Sequence, residues 1–427
     1  MLNQRFLPWV MWFLPLIFFG FQFILRLFPG LIVSEFLEKY KITATDFGLF
    51  ASLYYIGYAS MQLPMAFLLD KFGPRKVISL SAFLCAFATA LFAFFDHWSL
   101  ALVSRFLIGV GSVAGFLGVS KIISGWFLQK YYSRMVGLTF SFGLLGALYG
   151  GLPMSAFIEK LGWEKVNIAL GGVAFFLAIF IFCFVRDKTA PSTENNLAIF
   201  SKIKMLFSYK PLLFLGLSNF LMVGALEGFA DVWGIPYLIA TYHISKPQAA
   251  SVLSFIFMGM LIGGPLLAYF SEKYRSPYWV TSLCGISMSL LLLTILMCPL
   301  FISLTLLKGM MFLIGICCCY QVIVFTIGTQ LVPASLTSLA VALLNCINML
   351  GGSFFHTIIG RLMDFIEPPV LQTLVGPPTY LASTYTYTLL LIPLASLVGA
   401  LLVGISKIKS ARPISIEDVS FSQLSLK

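Results

Sequence analysis

Charge is what this sequence has least of. Only 10% of its 427 residues are Asp, Glu, Lys or Arg, and only three are histidine. An ordinary soluble protein is about a quarter charged, and no soluble core of this length hides a chain that is 59% hydrophobic. No Lys/Arg block is long enough to follow a phosphate backbone, so the net charge of +11 is not the footprint of nucleic-acid binding. The eight cysteines lie in apolar stretches with no CxxC and no histidine at ligand spacing, which argues against a disulfide or metal framework. Cys317, Cys318 and Cys319 are consecutive, but adjacent helical residues point about 100° apart and do not share a metal. No GxxxxGK[ST] phosphate loop supports ATP-driven pumping, and no nucleophile–base grouping supports an enzyme. There is no N-x-S/T acceptor, which favours a bacterial protein over a glycosylated eukaryotic one.

What fills the chain instead is a series of apolar runs of about 20 residues, the length that matches a bilayer core. Twelve spans are expected, near 8–33, 47–69, 77–95, 99–122, 134–156, 165–185, 211–239, 248–270, 278–298, 301–327, 335–360 and 379–405. The first has no small-residue cleavage site and is longer than a signal-peptide core, so it reads as a retained helix. With the N-terminus inside, eighteen of the 27 Lys and Arg fall in inward connections or tails, six outside and three within spans. That bias predicts a multi-pass protein of the cell (inner) membrane with both termini cytoplasmic.

The longest polar interruption, RDKTAPSTENN from Arg186, follows the sixth span. It divides the chain into a six-helix bundle at 1–186, a cytoplasmic linker at 187–210, a second six-helix bundle at 211–406 and a cytoplasmic tail at 407–427. A faint repeat agrees with two related halves: RFLIGVG begins at Arg105 in span four and MFLIGIC at Met311 in span ten.

Ionisable residues inside apolar spans are costly and mark functional positions. The bases are Arg26, Arg105 and Lys308, and the acids are Glu227 and Asp231, an i, i+4 pair on span seven. Gln22 and Arg26 have the same spacing on span one, just before Pro29 and Gly30, while Gly228, Gly234 and Pro236 interrupt span seven. Further polar candidates are Tyr54, Tyr55, Tyr58 and Gln62 on span two, Asn219 on span seven, and Tyr320 and Gln321 on span ten. Span eleven adds Asn345, Asn348 and His356. Each has a structural alternative. Arginine and lysine snorkel to an interface, and buried tyrosines and amides join helices.

Between spans two and three stands LLDKFGPRKV, Leu68 to Val77, which closely resembles the signature loop of the major facilitator superfamily, G-x-L-a-D-R-x-G-R-K. Asp70, Gly73, Arg75 and Lys76 match it, Pro74 is inserted, and Ala66 stands at the motif's first glycine. A degenerate copy, GPLLAYFSEKYR, begins at Gly264. Arg105 to Gly109 resembles the family's fourth-helix R-x-x-x-G, and GWFLQKYYSRMVGL resembles the linker of its organic-solute importers. NCINMLGG, from Asn345, is also a familiar pattern there, whereas the G-P-x-x-G-G of drug–proton antiporters is missing from span five.

The resemblance implies an all-α fold of twelve transmembrane helices in two pseudo-symmetric six-helix bundles, with spans one and seven facing across a central cavity. It implies a monomer that moves a small organic solute by alternating access, with no cofactor and no metal. Parts of the chain look like bacterial organic-anion symporters and, more distantly, lysosomal dipeptide carriers. On this reading Gln22, Arg26, Tyr54, Tyr58, Asn219, Tyr320, Gln321, Asn345 and Asn348 bind the solute. Glu227, Asp231 and Arg105 couple it to a proton, and Asp70, Gly73, Arg75 and Lys76 form a conformational loop. Three bases against two acids favour a carboxylate-bearing solute such as an amino acid, peptide or organic acid. Export of a metabolite, siderophore or drug is the alternative, and a transporter-like sensor a lesser one.

Overall fold

A computed structural model of the chain describes residues 6–94, 97–188, 196–274, 276–333, 336–368 and 380–405. The tail at 407–427 and residues 189–195 of the linker lie outside the described residues. Among the described residues, eleven helices are long and apolar enough to cross a membrane. They are α1 (Leu7–Leu31), α3 (Pro74–Phe94), α4 (Trp98–Trp126), α5 (Arg134–Leu161), α6 (Trp163–Phe184), α7 (Lys210–Tyr242), α8 (Lys246–Lys273), α9 (Pro277–Met297), α10 (Leu304–Gln330), α11 (Thr337–Ile366) and α12 (Ala382–Gly404). The remaining long helix, α2 (Ala44–Phe72, 29 residues), is less apolar because it carries Ser52, Tyr54, Tyr55, Tyr58, Ser60 and Gln62. The twelve expected spans are therefore all helices. α11 continues six residues past its expected end at 360, because the amphipathic stretch Arg361–Ile366 keeps the helical repeat.

The helix starts follow local rules. Thr43 and Ser245 close capping boxes with Asp46 and Gln248, and Ser303 caps α10. Pro74, Pro247 and Pro277 stand in the first turns of their helices, where a missing N–H costs nothing. Gly73 has φ +82°, and a side chain there would run into the Asp187 carboxylate 2.6 Å away. A glycine is thus required at the turn from α2 to α3.

Two related sets of contacts build the bundle. In the first half α2 packs on α4, α3 on α4 and α6, and α1 on α4 and α5. In the second half α8 packs on α10, α9 on α10 and α12, and α7 on α11. Glycine lets backbones touch at matching places. A methyl group on Gly109 would lie 2.0 Å from the Tyr54 carbonyl, and one on Gly57 2.3 Å from the Phe106 carbonyl. At corresponding positions of the second half, a methyl group on Gly315 would lie 1.9 Å from the Ile256 carbonyl and one on Gly259 2.0 Å from the Phe312 carbonyl. The repeat seen in RFLIGVG and MFLIGIC is this reciprocal close contact, and small residues at such crossings are what lipid-embedded helices need.

The two halves meet along α2 and α11, which run antiparallel. Gly360 sits on the Ala44 carbonyl, Gly48 on the His356 carbonyl, and the Cys346 thiol donates to the Ala59 carbonyl at 3.4 Å. The end of the bundle holding the 31–44 and 242–246 connections is called distal below; the end holding Phe6 and Ile405 is proximal. At the distal end Lys246 pairs with Glu35 across the halves. At the proximal end the ion pair Lys121–Asp70 and the bonds from the Arg75 N–H to Asp187 (2.8 Å) and from its Nε to the Phe182 carbonyl (2.7 Å) stay within the first half.

The glycine contacts make a test of the packing. Gly109→Ala is expected to destabilise the protein by ~1–3 kcal/mol through overpacking and to lower its thermal midpoint in detergent. Gly137→Ala, with nothing within 4 Å of the added methyl, leaves the midpoint unchanged or raises it. Equal midpoints for both variants would contradict the close approach of α2 and α4.

Candidate functional site

The site begins where α1 stops being regular. Its α-helical part ends at Leu27, and Phe28–Leu31 forms a 3-10 turn around Pro29 and Gly30. Gly30 lies against α7: a methyl group there would be 2.2 Å from the Asp231 carbonyl oxygen. α7 is itself irregular, with π turns at Phe220–Gly224 and Phe229–Trp233. Each wide turn adds a residue to the helical circuit, and such bulges gather at functional sites. Glu227 lies between them and Asp231 inside the second.

Both acids close on Arg26. Its Nη2 donates to Glu227 Oε1 at 2.9 Å and its Nε to Asp231 Oδ2 at 2.6 Å. The same Asp231 oxygen accepts the Tyr55 hydroxyl of α2. A guanidinium presents donors in a fixed fork, so one side chain holds two carboxylates on separate turns. Glu227 and Asp231 are buried, and Glu227 Oε2 is left without a partner.

Arg105 completes the arrangement from α4. It is buried, donates from Nη1 to the Leu25 carbonyl at 2.9 Å, and leaves its Nε unpaired. Among the described residues no carboxylate pairs with it. Its cationic carbon stands 5.0 Å from the centre of the Tyr54 ring, and that of Arg26 5.1 Å from the centre of the Tyr55 ring. The two tyrosines meet edge to face at 5.5 Å. Two guanidinium groups thus flank a tyrosine pair, one neutralised by acids and the other held by aromatic faces and a carbonyl.

The other expected residues fall into three groups. Tyr54, Tyr58, Gln22, Asn219, Tyr320 and Asn348 are buried; the Tyr58 ring is 6.2 Å from Tyr54, and Tyr320 donates to Asn219 Oδ1 at 3.3 Å. Gln22 Oε1, Asn219 Nδ2 and both amide atoms of Asn348 have no partner. Gln321 and Asn345 are only half-buried, and among the described residues they bond to none of these groups. Asp70, Gly73, Arg75 and Lys76 lie apart from the arginines at the proximal end, where Lys76 is exposed. Lys308 rests with its ammonium 5.7 Å from the Phe255 ring centre, at the distal end of α10. His356 is fully buried, its ring 5.0 Å from that of Tyr55 and its Nδ1 2.5 Å from the Gly352 carbonyl. No group of His, Cys, Asp and Glu suited to a metal occurs among the described residues.

Sequence reasoning missed Asp187, which receives the Arg75 N–H, and Asp364, which joins α11 to α2. Each follows an apolar run, and neither stands out as an intramembrane charge does.

The model of the Major Facilitator Superfamily matches residues 11–356. Among curated proteins the chain is 25% identical over 262 residues to the uncharacterized transporter YybO of Bacillus subtilis, covering 55% of this chain and 59% of that one. It is 23% identical over 268 residues to the probable L-galactonate transporter of Escherichia coli, covering 58% and 59%. With the probable sulfoacetate transporter SauU of Cupriavidus necator it shares 27% over 150 residues, 35% of each chain. The chain therefore spans about three-fifths or less of the length of these relatives. Among solved structures, a bacterial homolog of the human lysosomal transporter Spinster, inward-facing and unoccupied, superposes with a TM-score of 0.75 at 16% identity, over 98% of both chains. With its polytopic helical fold and a match over most of its length, the chain belongs to the Major Facilitator Superfamily.

Proposed function

We propose that the protein is a secondary transporter of a small hydroxylated organic anion, moved together with a proton by alternating access. The observation that carries this reading is Arg105, a buried guanidinium with an unpaired Nε and no acid of its own. Its neighbour Arg26 is neutralised twice over by Glu227 and Asp231. With both acids ionised, the two arginines and two carboxylates sum to zero. A proton on either carboxylate leaves the group at +1, and an entering carboxylate restores neutrality. Proton and anion are then favoured together, because each removes the charge the other would leave buried.

The unpaired amides of Asn219, Asn348 and Gln22 support the hydroxylated class, since neutral amides both donate to and accept from hydroxyls. Relatives named as probable or putative transporters of galactarate and D-glucarate, L-galactonate and tartrate support the same chemistry. In this reading the halves are 1–186 and 211–406, joined by the 187–210 linker, and both termini lie in the cytoplasm of a bacterial cell. The loop at Asp70, Gly73, Arg75 and Lys76 steadies one state, and the carrier works as a monomer. Uptake is favoured over export by the absence of G-P-x-x-G-G from span five.

Two outcomes test it in proteoliposomes with tartrate, galactarate, L-galactonate and sulfoacetate, and sorbitol as a neutral control. Arg105→Lys keeps the charge but loses the fork, and is expected to weaken anion binding about 10- to 100-fold, the value of a charge-assisted hydrogen bond. Unchanged affinity in a stably folded Arg105→Lys protein removes Arg105 from the binding site. Separately, Glu227→Gln or Asp231→Asn is expected to abolish stimulation of uptake by an inward-directed proton gradient while solute exchange continues. Full proton-driven uptake by both variants would show that the proton is carried elsewhere.

A further inference from the structure

The N-terminus of α2 is completed from the other half of the molecule. The first turn of a helix has four N–H groups with no partner inside the helix. In α2 the Thr43 N–H goes to Asp46 Oδ2 at 3.1 Å and the Asp46 N–H to Thr43 Oγ1 at 3.4 Å. The remaining two cross the interface to α11. The Thr45 N–H donates to Asp364 Oδ2 at 2.8 Å and the Ala44 N–H to Asp364 Oδ1 at 3.2 Å. Tyr380 bridges them, its hydroxyl accepting from the Ala44 N–H at 2.9 Å and donating to Asp364. Gly360, one turn before Asp364, brings the α11 backbone onto the Ala44 carbonyl so that the carboxylate reaches.

The corresponding helix of the second half needs no such help. α8 begins Ser245-Lys246-Pro247, where proline has no N–H to satisfy and Ser245 receives the Gln248 N–H. Among the described residues, α2 has first-turn N–H groups capped by a carboxylate of the opposite half, whereas α8 meets the opposite half through the Lys246 side chain on Glu35.

We propose that Asp364, with Tyr380, is a latch that holds the distal end shut by capping α2 across the two halves. A negative charge at this position also meets the positive end of the 29-residue helix dipole. Opening the distal end separates Ala44 from Asp364, strips both N–H groups of their acceptor and leaves the carboxylate without its donors. The latch sets the balance between distal-closed and distal-open states. It requires that the distal end opens during the cycle and is independent of which solute is carried.

Hydrogen exchange read by mass spectrometry on the purified full chain tests this. In Asp364→Ala, peptides at the distal end of both halves, covering 31–50 and 231–246, are expected to exchange faster together by on the order of tenfold, as loss of a cap of about 1.4 kcal/mol would give. Peptides at the proximal end, covering 66–78, are expected to become more protected as that end closes. Asp364→Asn, which keeps one acceptor oxygen, and Tyr380→Phe are expected to shift exchange in the same direction by less, and they serve if the alanine variant does not fold. Faster exchange confined to 43–50 would make Asp364 a local cap and overturn the latch. Unchanged exchange at 231–246 in all three variants would overturn it equally.

Discussion

The half-buried guanidinium of Arg26 sets the terms for the centre of this molecule. A charge in the interior of a membrane bundle is costly without compensating partners, and removing one partner of a buried ion pair costs about 3–5 kcal/mol. Arg26 takes both of its carboxylates from α7, so the first and seventh helices are fixed at the depth where the two halves face each other. Other features follow from that contact. Pro29 and Gly30 let the chain turn closely past the Asp231 carbonyl, the π turns bring Glu227 and Asp231 onto one guanidinium, and Tyr55 ties Asp231 to α2. Because the pair lies between the halves, whatever changes its charge also changes how firmly they are joined.

Much of this was legible in the sequence for one reason: charges are rare enough here that each stands out. Arg26, Glu227 and Asp231 interrupt apolar runs, and the family's cross-cavity placement of the first and seventh helices made them partners. The geometry bears out that pairing. Gly73 was equally legible, since its turn leaves no room for a side chain beside Asp187. The difference between the two intramembrane arginines was not legible. Both read as intramembrane cations, and only the three-dimensional arrangement leaves Arg105 without an acid while Arg26 has two. π turns have no composition of their own to announce them. Asp364 lay beyond the apparent end of the eleventh span, where falling hydropathy looked like a loop although the helix continued to Ile366.

The reciprocal glycine contacts explain why the two ends of the bundle can differ. Close backbone approach between α2 and α4, and again between α8 and α10, leaves little freedom within each half. Freedom remains where the halves meet, and there the interface is uneven. Along α2 and α11 it is held by backbone contacts at Gly48 and Gly360, a thiol bond and a carboxylate. Where α5 meets α8, the corresponding contact is Gly151 against the Ser254 hydroxyl. Pseudo-symmetry describes the scaffold, while the α2–α11 and α5–α8 seams are fastened differently.

The modest hydropathy of α2 has a consequence for how the protein is made. Its tyrosines, Ser52 and Gln62 are an asset once they are enclosed by α4 and α11, but lipid alone offers them little. During synthesis the helix leaves the ribosome long before α11 exists to cover that face. Early membrane residence of α2 must then rest on α4, through the glycine crossings at Gly57 and Gly109, and its final seating awaits almost the last segment of the chain. A truncation that removes the eleventh helix would thus be felt first at the second.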